Sequence, residues 1–444
     1  MNCVTRNTWQ WEPVINFLND KPLLAYLKKF KRLFVGFSGG LDSTVLLHLL
    51  STSLPLKKKL TAIHIHHGLS QNAAQWQKHC ELFCQKQAIP MIWRAIDFDR
   101  SANIEENARL ARLNVFSSLL TENDAILLGH HQDDQAETVL LQLFRGAGID
   151  GLAAMAQIST LGKGELIRPL LTVTREQLKR YAVSQQLNWI EDETNLEVKF
   201  TRNFIRHEII PILEQRWPSV SKNIARTAEL CQQARQNLQD LAGLDLDSSS
   251  LTRSILAFES LLPLRKERIA NVLRFWLKFN GVKMPSAVII ERIIDEVMFV
   301  REDAEPMVQW EQIQIRRYRK QLFLLKTDNM QVPEKTPWPH FPEPLKITDL
   351  GRLVVNRVTR GLVFPEGSHI DIRFRRGGEL FYWHGQSKQL KKLFQEWNIP
   401  PWLRDHIPLI YINDELALVV GYAVSDKFYK KNQKNAWEIQ LKFS

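Results

Sequence analysis

At 444 residues with 44% apolar side chains, the chain is long enough for about three packed domains. No apolar run reaches the roughly 20 residues a membrane span needs, and the N-terminus lacks a signal-peptide pattern. Four scattered cysteines (Cys3, Cys80, Cys84, Cys231) do not make a disulfide framework, so a cytosolic protein without membrane association is expected, and the +11 net charge points to a polyanionic partner or a solvated basic surface.

In chain order, the first element is the apolar strand Leu33-Phe34-Val35-Gly36-Phe37, running through Ser38-Gly39-Gly40-Leu41-Asp42-Ser43 into a helix at Thr44. Gly39 and Gly40 let backbone N–H groups approach a ligand, and the helix N-terminus behind them favours negative charge. Ser38 and Ser43 add hydroxyls. Asp42 would repel a phosphate unless a cation such as Mg²⁺ bridges the two, so the stretch suits a nucleotide's phosphates and their metal. No Gly-x4-Gly-Lys-Ser/Thr occurs, and Gly-x-Gly-x-x-Gly is absent at this turn.

Next come a β-rich run at Leu60–Ile65 leading to His66, a third at Met91–Ile96, a helical stretch from Ile104 to Leu120 and a fourth strand at Ala125–Gly129. Cys80 and Cys84 stand i, i+4 on the intervening helix. Without a second pair they read as buried thiols and not as metal ligands. Arg109 and Arg112 share a helix face, and arginine forks suit phosphate oxygens. Strands spaced by helices predict an α/β domain with a doubly wound parallel sheet, its ligands gathered at the carboxyl ends of the strands. Behind the fourth strand, His130 and His131 precede Asp133, Asp134 and Glu137. These carboxylates crowd one helix end, so something positive should compensate: a bound metal or a cationic substrate, the helix dipole being the plainer explanation.

Thr174-Arg175-Glu176-Gln177 has the spacing of a capping box. Helical periodicity dominates from Pro218 to Val300. Pro333, Pro337, Pro339, Pro342 and Pro344 mark a semi-rigid linker, beyond which short strands predict a small α+β domain. The last 100 residues hold 16 Lys/Arg against 10 Asp/Glu. The expected divisions are 1–216 (catalytic), 217–330 (mainly helical), 331–344 (linker) and 345–444 (α+β).

The loop Ser38–Ser43 resembles that of the ATP pyrophosphatases. Together with His66-His67-Gly68-Leu69-Ser70, Ala108-Arg109, Arg112, His130–Thr138, Arg145–Leu152, Arg168-Pro169-Leu170-Leu171 and Arg202-Asn203-Phe204-Ile205-Arg206, it is similar to the bacterial tRNA(Ile)-lysidine synthases. Arg375–Glu379, Lys391–Phe394 and Ile399–Arg404 resemble that family's C-terminal domain. The resemblance implies ATP and Mg²⁺ as cofactors, with free L-lysine and a tRNA(Ile) carrying a CAU anticodon as substrates. The wobble cytidine would be adenylated at its C2 oxygen, and the lysine ε-amine would then displace AMP, giving lysidine and changing codon reading from AUG to AUA. It further implies Ser38, Gly39, Gly40, Leu41, Asp42, Ser43 and His66 at the nucleotide, with Asp42 on the metal. Asp42, Arg109, Arg112, Asp133, Asp134 and Glu137 would carry the chemistry. His130, His131, Asn203, Arg206, Arg375, Arg376, Lys391, Lys392 and Arg404 would contact substrates, and a homodimer stays open. Two alternatives remain: a tRNA sulfur transferase on the same ATPase domain, and an RNA-binding protein on an inactive one.

Overall fold

The structure, a computed structural model, describes residues 21–66, 73–99, 101, 104–191, 193, 197–246, 254–301, 306–327, 333–347 and 350–442. Cys3, His67–Ser70, Asp192 and residues 194–196 lie outside these. The chain divides into two units, Met1–Leu241 and Ala242–Ser444.

The first unit is built on a six-stranded sheet of order β3-β2-β1-β4-β6-β5. Its strands are β1 (Arg32–Gly36), β2 (Leu60–His66), β3 (Met91–Ala95), β4 (Asp124–Leu127), β5 (Ile158–Leu161) and β6 (Gly164–Ile167). All neighbours pair in parallel except the β5–β6 hairpin at the edge. The connecting helices include α1 (Leu41–Thr52), α2 (Ala73–Gln87), α3 (Ile104–Leu119), α4 (Gln132–Phe144) and α5 (Arg175–Ser184).

Alternation along β1 sorts the core into two layers. Leu33, Val35 and Phe37 face one layer with α1, α2 and α5, whereas Phe34 faces the other with Phe116 and Leu120 from α3 and its end. α1 is apolar nearly all round because it is buried nearly all round, from Leu41 to Leu50. Thr174 caps α5 and exchanges hydrogen bonds with Gln177, as the capping-box spacing predicts. The strand order turns back between β1 and β4, and a crevice opens outside the carboxyl ends there.

At the opposite end of those two strands, Arg32 donates to both oxygens of the buried Asp124 carboxylate (3.0 and 2.5 Å), which also accepts from the backbone and hydroxyl of Thr121. Burial raises this pKa, but Arg32 and Thr121 outweigh it and hold the group down at about 2. The stabilisation is therefore complete above the ordinary carboxylate range and is lost as pH falls through about 2. Asp124→Asn is expected to be less stable than the parent at neutral pH. The two should converge in acid unfolding curves approaching pH 2, and a gap independent of pH would rule out this role.

In the second unit, the helix Lys266–Phe279 and a helix over residues 287–298 pack on a four-stranded antiparallel sheet formed by Ile255–Ala257, Met307–Trp310, Ile313–Tyr318 and Gln321–Lys326, around the fully buried Trp276. The helical reading of the middle region thus gains a sheet whose strands mostly lie beyond Val300. Further on, a five-stranded and a three-stranded antiparallel sheet share one core. The proline-rich stretch is not a free linker. Lys335–Pro337 pairs antiparallel with Arg373–Asp371, and Trp338 is buried in that core. Proline is compatible with a sheet edge, where one side of the strand needs no donors.

Candidate active site

Three loops meet at the crevice. Gly39 has φ +85°, and a Cβ there would come within 2.8 Å of Ile190 and 2.9 Å of Cys80 Sγ, so both backbone conformation and space demand glycine. Gly40 caps α1 in extended conformation. The loop is knitted internally: Ser43 Oγ accepts from Ser38 N at 3.2 Å and lies 3.0 Å from Ser38 Oγ. Ser43 is buried and spent on shaping the loop, while Ser38 is exposed. The second loop, after β4, seats on the start of α1, since a Cβ on Gly129 would lie 3.0 Å from the Asp42 carbonyl. From the third loop, the backbone N–H of Arg175 donates to Asp133 Oδ2 at 2.8 Å.

Around this junction sits a dense charge cluster. His131 Nε2 lies 3.7 Å from Asp42 Oδ2 and 3.4 Å from Asp134 Oδ2, and its Nδ1 lies 3.3 Å from Asp133 Oδ2. Burial alone would discharge this ring, but Asp134, Asp133 and Asp42 together push its pKa up to about 9. Its neighbour His130 behaves oppositely. Burial, reinforced by Arg168, Arg112 and Arg202, takes it down to about 3 against the pull of Asp134. At neutral pH the pair is one imidazolium and one neutral imidazole.

Two of the carboxylates of α4 are compensated within the chain by arginines. Arg202 Nε donates to Glu137 Oε2 at 2.6 Å and Arg206 Nε to Glu137 Oε1 at 2.6 Å, and both guanidiniums reach Asp134 Oδ1, at 3.0 and 3.1 Å. Glu137 is 1% exposed. Its two oxygens are taken up by these arginines, so in this structure Glu137 and Arg206 are each other's partners. Asn203 is also buried, donating to the Glu197 carbonyl at 3.1 Å. Arg206 lies in a π-helical turn, Ile205–Ile209, a distortion frequent at functional sites. Arg202 carries no distinguishing sequence signal of its own. It stands four residues before Arg206, and that spacing opposite Glu137 was the available clue.

Asp42 is neutralised on one oxygen only, by His131. Burial raises its pKa and Asp134 adds to that, while His131 and more distant arginines oppose, and its Oδ1 has no partner among the described residues. A carboxylate held in this way beside a phosphate-binding loop fits a hard cation. No group of three or more His, Cys, Asp or Glu side chains suited to a metal occurs among the described residues, so any such ion would take further oxygens from the nucleotide.

A second group of arginines stands apart. Arg112, on α3, has an unpartnered buried Nε and a pKa drawn down to about 10 by burial and then by Arg109 and Arg202. Arg168, at the end of β6, is also drawn to about 10 by burial and Arg109; its Nη1 donates to the Ala156 carbonyl while its buried Nε has no partner. Arg109 itself is exposed and lies 3.7 Å from Glu106. His66 ends β2, half-buried. Cys80 and Cys84 are buried under the phosphate loop, with Cys80 Sγ 3.5 Å from His64 Nδ1.

In the second unit, Arg375 pairs with Asp405 at 2.9 Å and Arg376 with Glu334 at 2.5 Å. Arg404 is buried and donates to the Ile399 carbonyl. These three therefore have local partners, which their sequence surroundings did not reveal; Lys391 and Lys392 are exposed.

A model of the PP-loop domain matches residues 13–213, one of the TilS substrate binding domain residues 256–323, and one of the TilS substrate C-terminal domain residues 370–441. The tRNA(Ile)-lysidine synthase of Legionella pneumophila strain Philadelphia 1 is 53% identical over 428 residues, covering 95% of this chain and 99% of that protein. The chain belongs to the tRNA(Ile)-lysidine synthase family. A synthase of the same name from Coxiella burnetii is 40% identical over 92% of this chain and 92% of its own. Among solved structures, the U34-tRNA thiolase of Methanococcus maripaludis aligns over 50% of this chain and 80% of its own, at 18% identity and a TM-score of 0.43. In this chain the histidine pair, the carboxylates of α4 and the glycine loop all gather at the β1–β4 crevice.

Proposed function

We propose that this chain joins free L-lysine to C2 of the wobble cytidine in the CAU anticodon of tRNA(Ile), using ATP. The observation that carries the reading is the Asp42 carboxylate at a glycine-shaped helix N-terminus, its Oδ1 without a partner among the described residues, within a family whose members bear that activity as their name. The C2 oxygen of cytosine attacks the α-phosphorus of ATP and pyrophosphate leaves. The deprotonated ε-amine of lysine then attacks C2 and AMP leaves with the oxygen.

The loop's backbone N–H groups and the α1 N-terminus cradle phosphate oxygens, and Asp42 would hold Mg²⁺. When bound, the ion neutralises charge on the departing pyrophosphate. His131 keeps Asp42, Asp133 and Asp134 from repelling one another before substrate arrives. The protein acts where tRNA is, in the cytoplasm; no helix among the described residues is long and apolar enough to cross a membrane. A pyrophosphate-release assay with purified tRNA(Ile) tests this. One equivalent should appear without lysine and continuous turnover with it. Turnover indifferent to lysine would favour sulfur transfer, and no release at all would favour an inactive scaffold.

Lys391 and Lys392, exposed at the start of the helix Leu390–Glu396, are the free cations of the C-terminal set and are proposed to contact tRNA phosphates. Each contact adds about 0.7 to 0.9 to the slope of log affinity against log salt. Replacing both by glutamine should flatten that slope by about 1.5 in tRNA titrations, with pyrophosphate release at saturating tRNA unchanged. An unaltered slope would make them ordinary surface lysines.

A further inference from the structure

Within the second unit, the core around Trp276 and the cores of the C-terminal sheets share no side chain among the described residues. Bodies with separate cores move relative to one another unless something pins them. One side chain joins these two. Trp402, in the short helix Pro401–Arg404, packs on the four-stranded sheet that covers Trp276.

Its seat is the face of that sheet turned away from the helices. Along Gln321–Lys326, Leu322 and Leu324 face the core, so Phe323 points the other way, yet it is only 6% exposed. Along Ile313–Tyr318 the same alternation sends Ile315 and Arg317 inward, where Arg317 donates to the Met298 and Val300 carbonyls. Arg316 and Tyr318 are left on the outer face, Arg316 directly across from Phe323. Trp402 closes over this row. Its ring lies 5.5 Å from that of Phe323 and 6.3 Å from that of Tyr318, both edge to face, with the Arg316 guanidinium 5.4 Å from its centroid. Such contacts are favourable beyond the area they bury.

The segment that carries Trp402 is braced from its own side. Ile399 and Ile407, which flank it in the chain, are buried in a C-terminal core. Between them Pro400 and Pro401 fix the backbone entering the helix, and Arg404 Nε donates to the Ile399 carbonyl at 2.9 Å. Asp405 pairs with Arg375 at 2.9 Å. A side chain on so stiff a support transmits the position of one body to the other.

We propose that Trp402 is a positioning residue that fixes the C-terminal domain on the outer face of the middle sheet, so that the two substrate domains engage one tRNA as a single body. This rests on the reading of the chain as an enzyme acting on tRNA(Ile). Two modules held at a set separation bind a stiff polyanion more tightly than the same modules swinging freely, because the second engagement is intramolecular. No added contact is needed. The indole N–H is buried without a hydrogen-bond partner among the described residues, so the seat uses the ring and not the donor.

The test uses the full-length chain and tRNA(Ile). Trp402→Ala should raise the tRNA Kd at least about tenfold through lost effective concentration. The slope of log affinity against log salt should stay unchanged, because no phosphate contact is removed. The pyrophosphate burst at saturating tRNA should keep its amplitude, and small-angle scattering of the free protein should give a larger radius of gyration. Trp402→Phe keeps a ring and drops the unpaired N–H, so its radius should match the parent's and its affinity should stay within about twofold. Arg316→Gln, on the other side of the seat, should weaken affinity in the same direction at an unchanged salt slope, and it replaces Trp402→Ala should that variant fail to fold. A folded Trp402→Ala protein with the parent's affinity or the parent's radius overturns the proposal. A flatter salt slope in either variant, or a Trp402→Phe protein as weak as the alanine one, also overturns it and makes the cluster an RNA contact in its own right. Failure of the parent to bind tRNA(Ile) would instead overturn the functional reading itself.

Discussion

Asp42→Asn is expected to abolish pyrophosphate release at ordinary Mg²⁺, by at least about 100-fold, the scale of losing several kcal/mol of metal-assisted charge stabilisation. Two controls separate this from damage to the fold. The Asp42 carboxylate carries a pKa raised chiefly by burial, so its charged form is disfavoured in the folded chain without metal. Asparagine keeps its shape and removes that charge, so thermal stability without Mg²⁺ should equal or exceed the parent's. Affinity for tRNA should stay within about twofold, because a carboxylate repels polyanions and Asp42 is not read as a tRNA contact. Near-parent turnover in the variant would place the nucleotide site elsewhere.

Glu137→Ala is expected to act through the fold. The carboxylate is buried and receives both Arg202 and Arg206, so its removal leaves two guanidiniums to share Asp134. Breaking a buried ion cluster from one side costs about 3–5 kcal/mol. Thermal unfolding followed by a probe in the first unit should therefore begin at markedly lower temperature. Glu137→Gln, which retains hydrogen-bonding shape, should lose less than the alanine variant. A Glu137→Ala protein with the parent's melting temperature and a raised lysine KM would instead restore the carboxylate to the substrate.

The parallel sheet, its helices and the Thr174 cap were readable because each depends on residues within one or two turns of chain: apolar runs, small-residue turns and a Thr-x-x-Gln spacing. The phosphate loop was legible for the same reason. Gly39 answers to its own φ, although its contacts with Ile190 and Cys80 come from distant segments. The proline-rich stretch was misread because proline is uninformative about edge pairing: nothing within residues 331–344 announces a partner strand at Ile370–Arg373. Asp405 and Glu334 were equally hidden as partners of Arg375 and Arg376, since ion pairs across 30 or more residues leave no local spacing.

The carboxylates of α4 mark the division most sharply. Sequence alone established that Asp133, Asp134 and Glu137 crowd one helical turn and need positive charge, because helical periodicity fixes which side chains are neighbours. It could not say which charge. Only the tertiary structure brings Arg202 and Arg206, more than 60 residues on, to Glu137 and leaves Asp42 with an open oxygen. Tertiary structure likewise sets His130 and His131, adjacent in the chain, on opposite sides of neutral pH. The physical reason is common to all of these. Geometry within a helix or turn is a property of consecutive residues, whereas desolvation and the sign of the nearest charge depend on which segments the fold packs together.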